Sequence, residues 1–135
     1  MLAFDPGERR IGVAASDETG LLASPVVVIS RSSRVVDLQR VSELISRLQP
    51  VELLVGLPLL PSGDRGPQAR RSERFAEQLR EEFGLPVHLW NESYSTVEAR
   101  RRRAAGPRGR KRSPYLDAEA AAVFLQDYLD ARRLR

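Results

Sequence analysis

Three acidic residues, Asp5, Glu92 and Asp117, stand where the chain passes between predicted elements, and the sequence contains no cysteine and only one histidine, His88. This donor set excludes disulfides, thiolate nucleophiles, Cys-ligated zinc and a His-rich transition-metal centre. It suits a hard divalent cation held by carboxylates, Mg²⁺ or Mn²⁺. Two such ions roughly 3.5–4 Å apart can stabilise the attacking and leaving oxygens of an in-line phosphoryl transfer. In such a site one ion would activate a water and the other would support the leaving 3′ oxygen.

The elements that must position these acids follow from hydrophobic periodicity. Leu2–Asp5 reads as a strand, Pro6-Gly7 as a turn and Ile11–Ser16 as a second strand. A third strand, Leu21–Ile29, is interrupted by Pro25. The period then changes: Val36, Leu38, Val41, Leu44, Ile45 and Leu48 predict an amphipathic helix over Val35–Leu48, stopped by Pro50. A buried strand over Val51–Val55 ends in Gly56-Leu57-Pro58, and Pro61–Pro67 reads as a loop. A helix over Gln68–Phe83 is capped by Gly84, and a last strand covers Pro86–Trp90. Ser95-Thr96-Val97-Glu98 is a capping box opening another helix, Gly106–Pro114 is an Arg/Gly/Pro-rich loop, and a final helix spans Tyr115–Arg132. The later alternation of helix and strand implies parallel crossovers. The fold class is α/β: a five-stranded mixed sheet, three antiparallel strands then two parallel ones, flanked by helices in a single domain over residues 1–135.

In open α/β sheets, sites form beyond the carboxyl ends of parallel strands. Asp5 ends the first strand, and Glu92 follows the last one by two residues, so both reach the same edge. Gly56 ends the strand between them and Gly7 sits in the turn; both would leave room for a substrate backbone. On the final helix, Ala120, Ala121, Phe124, Leu125 and Tyr128 share the face of Asp117, which puts that acid on the buried stripe. An unpaired buried carboxylate is costly, and a metal ion would answer the cost. Each acid also has a structural alternative: Asp117 near its helix N-terminus, Glu92 paired with an arginine, Asp5 as a turn residue. Asp17 and Asp64 belong to turn-like contexts and Glu119 to the opposite helix face; with Glu8, they receive no catalytic role.

The net charge of +4 and pI near 10.3 come from arginine, since Lys111 is the only lysine. A basic surface points to a polyanionic partner. Arg9 and Arg10 flank the first turn; Arg100 to Arg103, including Arg102 and Arg103, and then Arg108, Arg110, Lys111 and Arg112 precede the Asp117 helix. Beside the acidic edge they would grip phosphates and make binding salt-dependent; a solvated charge run is the alternative. Trp90, Tyr94 and Tyr115 are the few aromatics near enough to stack on bases. No apolar run approaches a membrane span, and the chain enters a strand without a leader-like segment, so the expected location is the cytoplasm.

The sequence resembles the YqgF/RuvX family, the pre-16S rRNA nucleases also described as Holliday-junction-resolvase-like, and does so along its whole length. The resemblance rests on Asp5-Pro6-Gly7 with Arg9-Arg10-Ile11-Gly12-Val13-Ala14, Val55-Gly56-Leu57-Pro58, Phe75-Ala76-Glu77-Gln78-Leu79, and Asp117-Ala118-Glu119-Ala120-Ala121, in that order. It implies a ribonuclease-H-like fold and Asp5, Glu92 and Asp117 as the metal-binding carboxylates. It also implies nucleic acid as substrate: precursor rRNA first, with branched DNA, or RNA binding without catalysis in ribosome assembly, as alternatives. Junction resolution would call for a homodimer, because two strands are cut symmetrically. The family pattern after the last strand is Asp-Glu-Arg; here it is Asn91-Glu92-Ser93. The glutamate is kept, and Arg9 or Arg10 could replace the missing basic group.

Overall fold

The computed structural model describes residues 1–60, 62–93 and 116–134, with Glu92 and Ser93 described by backbone alone. Five strands, β1 (Leu2–Pro6), β2 (Arg10–Ser16), β3 (Ala23–Ser30), β4 (Leu53–Leu59) and β5 (Val87–Ser93), form one sheet in the order β3-β2-β1-β4-β5. The β1–β2 and β2–β3 pairs are antiparallel; β1–β4 and β4–β5 are parallel. Three helices complete the described fold: α1 (Arg34–Leu48), α2 (Pro67–Phe83) and α3 (Leu116–Arg133).

Alternation along the strands builds two unequal faces. Leu2, Phe4, Ile11, Val13, Leu53 and Val55 point to one face and form a core with Leu38, Val41 and Leu44 of α1 and Phe75 and Leu79 of α2. Phe4 and Phe75 meet edge-to-face at 5.5 Å. The other face is lined by smaller side chains, Ala3 and Ala14 beside Leu54, and receives Ala121, Phe124, Leu125 and Leu129 of α3. The bulky face can hold two helices; the shallow one lets a single helix approach closely. Gln126 fastens that helix to the sheet edge, accepting from the Ala23 N–H at 2.9 Å and donating to the Leu21 carbonyl at 2.8 Å.

Local chemistry explains the boundaries. Ser33 caps α1 by accepting from the Val36 N–H at 3.2 Å, and Gln49 ends the helix in a left-handed conformation. Pro67 opens α2 at its first turn, and Gly84, at φ 66°, closes it. Pro25 is tolerated because β3 is an edge strand, next to a register shift at Val13/Ala14. β1 and β3 end one residue later than expected, β3 also begins two residues later, and two strands run further beyond their expected ends. β4 reaches Leu59 rather than Val55, and β5 reaches Ser93 rather than Trp90, because the two pair continuously from Leu53↔Val87 to Leu59↔Ser93. Pro58 lies beyond Val55, the last residue paired with β1, where β4 has one neighbour and a missing N–H is tolerated.

Two packing features yield stability predictions. Ser72 is 1% exposed on the inner face of α2, and its hydroxyl has no hydrogen-bond partner among the described residues. Ser72→Ala removes this unsatisfied group and favours the helix, so it should stabilise by about 1 kcal/mol. Thermal denaturation should show Tm rising by a few degrees; a fall would mean that the hydroxyl is satisfied in solution. At the opposite end of the sheet from the acids, Glu52 accepts from Arg132 Nη1 at 2.8 Å, and His88 Nε2 lies 3.6 Å from the same carboxylate. The Arg132 hydrogen bond, the largest effect, outweighs desolvation, and with the smaller contributions of the Arg132 and His88 charges it holds the Glu52 carboxyl below its ordinary pKa. A depressed acid contributes stability above the unfolded-state pKa, and this is lost as pH falls through the folded-state value. Glu52→Gln should therefore be less stable than the native chain at pH 7, and the gap should close as pH falls below the ordinary glutamate range. Denaturant melts at pH 7 and in acid measure it; a gap that persists in acid would refute the ion pair as its source.

Candidate active site

Asp5 lies in β1 directly opposite Gly12 of β2. Residues paired in this way present their side chains on one face of the sheet. For Gly12, that face is occupied by the first turn of α3. A Cβ added there would lie 2.0 Å from the Asp117 carbonyl oxygen, 2.2 Å from its carbonyl carbon and 2.8 Å from the Ala118 nitrogen. The missing side chain thus seats Asp117 on the β1–β2 hairpin, on the face Asp5 shares. Both acids are buried, Asp5 at 4% exposure and Asp117 at 9%. As the spacing predicts, Ala120, Ala121, Phe124 and Leu125 are buried with Asp117.

Glu92 belongs to β5 itself, paired with Pro58, rather than to the loop after it. The longer β4–β5 ladder accounts for the difference. Trp90, two residues earlier, pairs with Gly56 and packs with the α3 core. Its ring meets Tyr128 edge-to-face at 5.3 Å, so it contributes to that core. Gly56 also departs from expectation. A Cβ there would lie 2.8 Å from Phe124, so the space it leaves is filled by α3 and is not open to a substrate backbone. At Gly7 a Cβ would lie 2.9 Å from the Arg10 carbonyl oxygen, which accepts the Gly7 N–H at 2.8 Å. This glycine closes the hairpin and still lines the cleft beside it.

That cleft, about 290 Å³, is bordered by Gly7, Glu8, Arg9, Arg10, Gln68, Arg71 and Asp117. Arg10 Nε donates to Asp117 Oδ2 at 3.0 Å, with the arginine side chain 44% exposed and the aspartate 13%. Behind the cleft, Arg31 braces the hairpin. Its Nη1 donates to the Gly7 carbonyl at 2.8 Å, its backbone N–H donates to the Arg9 carbonyl at 2.8 Å, and its guanidinium lies 5.9 Å from the Phe75 ring centre. Burial lowers the pKa of Arg31; Asp37 opposes this, while Arg71 and Arg74 add to it. A larger cavity of about 550 Å³ lies between β3 and α1, lined by Val27, Ile29, Arg40 and Leu44 among others, away from all three acids.

Sequence reasoning missed Arg31, Gln68 and Arg71. One signal was available: α2 opens without an acid in its first turn and carries Arg70-Arg71 instead, where the helix dipole ordinarily favours carboxylates. Asp17 has a turn role, accepting from the Leu21 and Leu22 N–H groups and from Thr19, and the Asp64 carboxylate accepts from Ser62. Arg102, Arg103, Arg108, Arg110, Lys111, Arg112, Tyr94 and Tyr115 lie outside the described residues.

Two buried acids, no cysteine and a histidine engaged elsewhere form a donor set suited to a hard cation. Among the described residues no group of three or more His, Cys, Asp or Glu side chains is placed to hold a metal ion. Asp5 and Asp117 supply two carboxylates, and the Glu92 side chain lies outside the description.

Comparison with known proteins fixes the family. The profile of RuvX, described as Holliday junction resolvase, matches residues 1–131. The chain belongs to the RuvX family. A Burkholderia multivorans relative bearing the name pre-16S rRNA nuclease is 45% identical over 131 residues, 96% of this chain and 88% of that protein. A Thermoanaerobacter pseudethanolicus relative of the same name is 38% identical over 136 residues, 98% of this chain and 97% of the other. Among solved structures, Thermus thermophilus RuvC in complex with Holliday junction substrate aligns with a TM-score of 0.59 at 21% identity, covering 98% of this chain and 96% of that one. A second Thermus thermophilus RuvC structure gives 0.54 with the same identity and coverage. The mixed sheet of this RuvX-family chain is therefore ribonuclease-H-like, and its family assignment is that of a nuclease, a hydrolase acting on nucleic acid.

Proposed function

We propose that this single domain, residues 1–135, is a metal-dependent phosphodiesterase of the cytoplasm that processes precursor rRNA, with the 5′ end of pre-16S rRNA as its favoured target. Asp5, Glu92 and Asp117 are its carboxylates. The observation that carries this reading is the seat at Gly12, which brings Asp5 and Asp117 to one face of one hairpin. The relatives' names favour precursor rRNA over other substrates. No described helix is long and apolar enough to cross a membrane.

Bound Mg²⁺ or Mn²⁺ would supply charge stabilisation for the phosphoryl transfer and an activated water. The chain's own residues hold and orient. Asp5 is carried by a strand paired on both sides, and Asp117 by a helix resting on backbone, so neither depends on a mobile loop. Burial of both acids keeps bulk water from screening their charge. Arg10, half in solvent, can exchange its contact with Asp117 for a phosphate oxygen as substrate arrives. The basic segment from Arg102 to Arg112 adds sequence-independent attraction to the polyanion.

The family description favours a second reading, cleavage of branched DNA, which would require two copies of the site in a homodimer. End-labelled precursor RNA and four-way DNA junctions, incubated in parallel with Mg²⁺ or Mn²⁺, separate the two. Metal-dependent RNA cleavage with intact junctions is the expected result. Symmetric junction cleavage would replace this reading with the resolvase, and binding without cleavage of either would leave an RNA-binding assembly factor.

A further inference from the structure

We propose that Arg71 and Gln68 of α2, together with Arg9 of the β1–β2 turn, form a phosphate-binding subsite that holds the nucleic-acid backbone beside the carboxylates. This rests on the nuclease reading and assigns a strand path to it.

The argument begins with charge. Arg10 is answered by Asp117, and Arg31 lies within 3.9 Å of Asp37. Arg71 is half-buried in the cleft wall, and no hydrogen bond or ion pair answers it among the described residues. Its charge, with that of Arg74, acts on the Arg31 guanidinium and lowers its pKa beyond the effect of burial. Asp37 answers Arg31 but not Arg71, so a half-buried guanidinium beside like charge takes an anion from outside as its natural complement. A guanidinium fork binds a phosphate through two parallel hydrogen bonds, and the Gln68 amide adds a neutral donor from the preceding turn. α2 contributes the positive end of its dipole, which no first-turn acid neutralises.

Position then selects the ligand. The cleft that Arg71 and Gln68 share with Arg9 includes Asp117, so a phosphate bound there is part of the chain whose bond is cut. At about 290 Å³ it has room for a phosphodiester and its hydrating waters but not for a folded partner. The strand would cross from α2 over the hairpin to the acids. Arg71 is thus a positioning residue that sets which phosphodiester reaches Asp5 and Asp117.

The test reads binding in EDTA, where no metal-dependent cleavage intervenes. A fluorescein-labelled RNA hairpin is titrated by anisotropy across about 50–200 mM salt with the native chain, Arg71→Gln and Arg40→Gln. Arg40 is an exposed arginine of α1 outside the cleft, so its variant carries the same charge change. Arg71→Gln should weaken binding roughly tenfold and reduce the log–log salt slope by about 0.7–0.9, one phosphate contact. Arg40→Gln should leave the slope unchanged. Equal behaviour of the two variants overturns the subsite, whether or not the chain cleaves RNA; a nuclease assay that fails while Arg71→Gln loses its contact overturns only the catalytic reading. Should Arg71→Gln fail to fold, Arg71→Lys carries the test. It keeps the charge and loses the fork, so the slope should hold while affinity drops several-fold; native affinity would overturn the proposal.

Discussion

Gly12→Ala is expected to unseat α3 and destabilise the fold by roughly 3 kcal/mol, because its Cβ would make the closest approach of any added at the described glycines. The new Cβ would fall 2.0 Å from the Asp117 carbonyl oxygen and 2.2 Å from its carbon. Both are backbone atoms, so no flexible side chain can swing aside. Either β2 or the first turn of α3 must move, and the turn carries Asp117. Cleavage should therefore fall along with stability, although residue 12 carries no functional group. Denaturant unfolding and the cleavage rate of the same preparation measure the two effects. Gly20→Ala is the comparison: Gly20 has nothing within 4 Å of its added Cβ, and its φ of 72° strains only an exposed turn. If Gly12→Ala were no more damaging than Gly20→Ala, the close seat of α3 on the hairpin would be wrong.

Asp5→Asn should cost at least about 10²–10³-fold in cleavage rate while leaving RNA binding intact. Asparagine keeps the shape of the side chain but not its negative charge, so a hard cation loses a strong ligand. Asp117→Asn should lower the rate comparably. It also removes the charge that Arg10 meets at 3.0 Å, which should free that arginine for phosphate and tighten RNA binding. The two substitutions are thus distinguishable by binding even when both abolish cutting. Single-turnover cleavage and anisotropy on the same RNA give both readouts. Retention of near-native cleavage by Asp5→Asn would remove it from the catalytic set.

Much of this arrangement was legible in the chain. The period-2 runs before residue 30 and the helical spacing after residue 35 gave the mixed sheet, and the count along α3 placed Asp117 on its buried stripe. Other features depend on pairing partners, which a local pattern does not display. β5 continues through Glu92 because β4 runs beside it, and β4 passes through Gly56 and Pro58 because β5 supplies its ladder. Gly56 illustrates a second limit: a glycine at a strand position signals close approach, but not whether a substrate or Phe124 is what approaches. Gly12 was visible only as part of a motif, and its contact with Asp117 spans more than a hundred residues. Arg31 and Arg71, far apart in sequence, share one field because β3 ends and α2 begins beside the same hairpin.

The most direct test of the account is Mn²⁺ binding in the absence of nucleic acid, read as loss of the free-ion signal in electron paramagnetic resonance, for the native chain and for Asp5→Asn. The native chain should take up Mn²⁺, and Asp5→Asn should bind it at least tenfold more weakly while melting as a folded protein. Equal uptake by the two would show that the ion is not held at Asp5 and would contradict the carboxylate site.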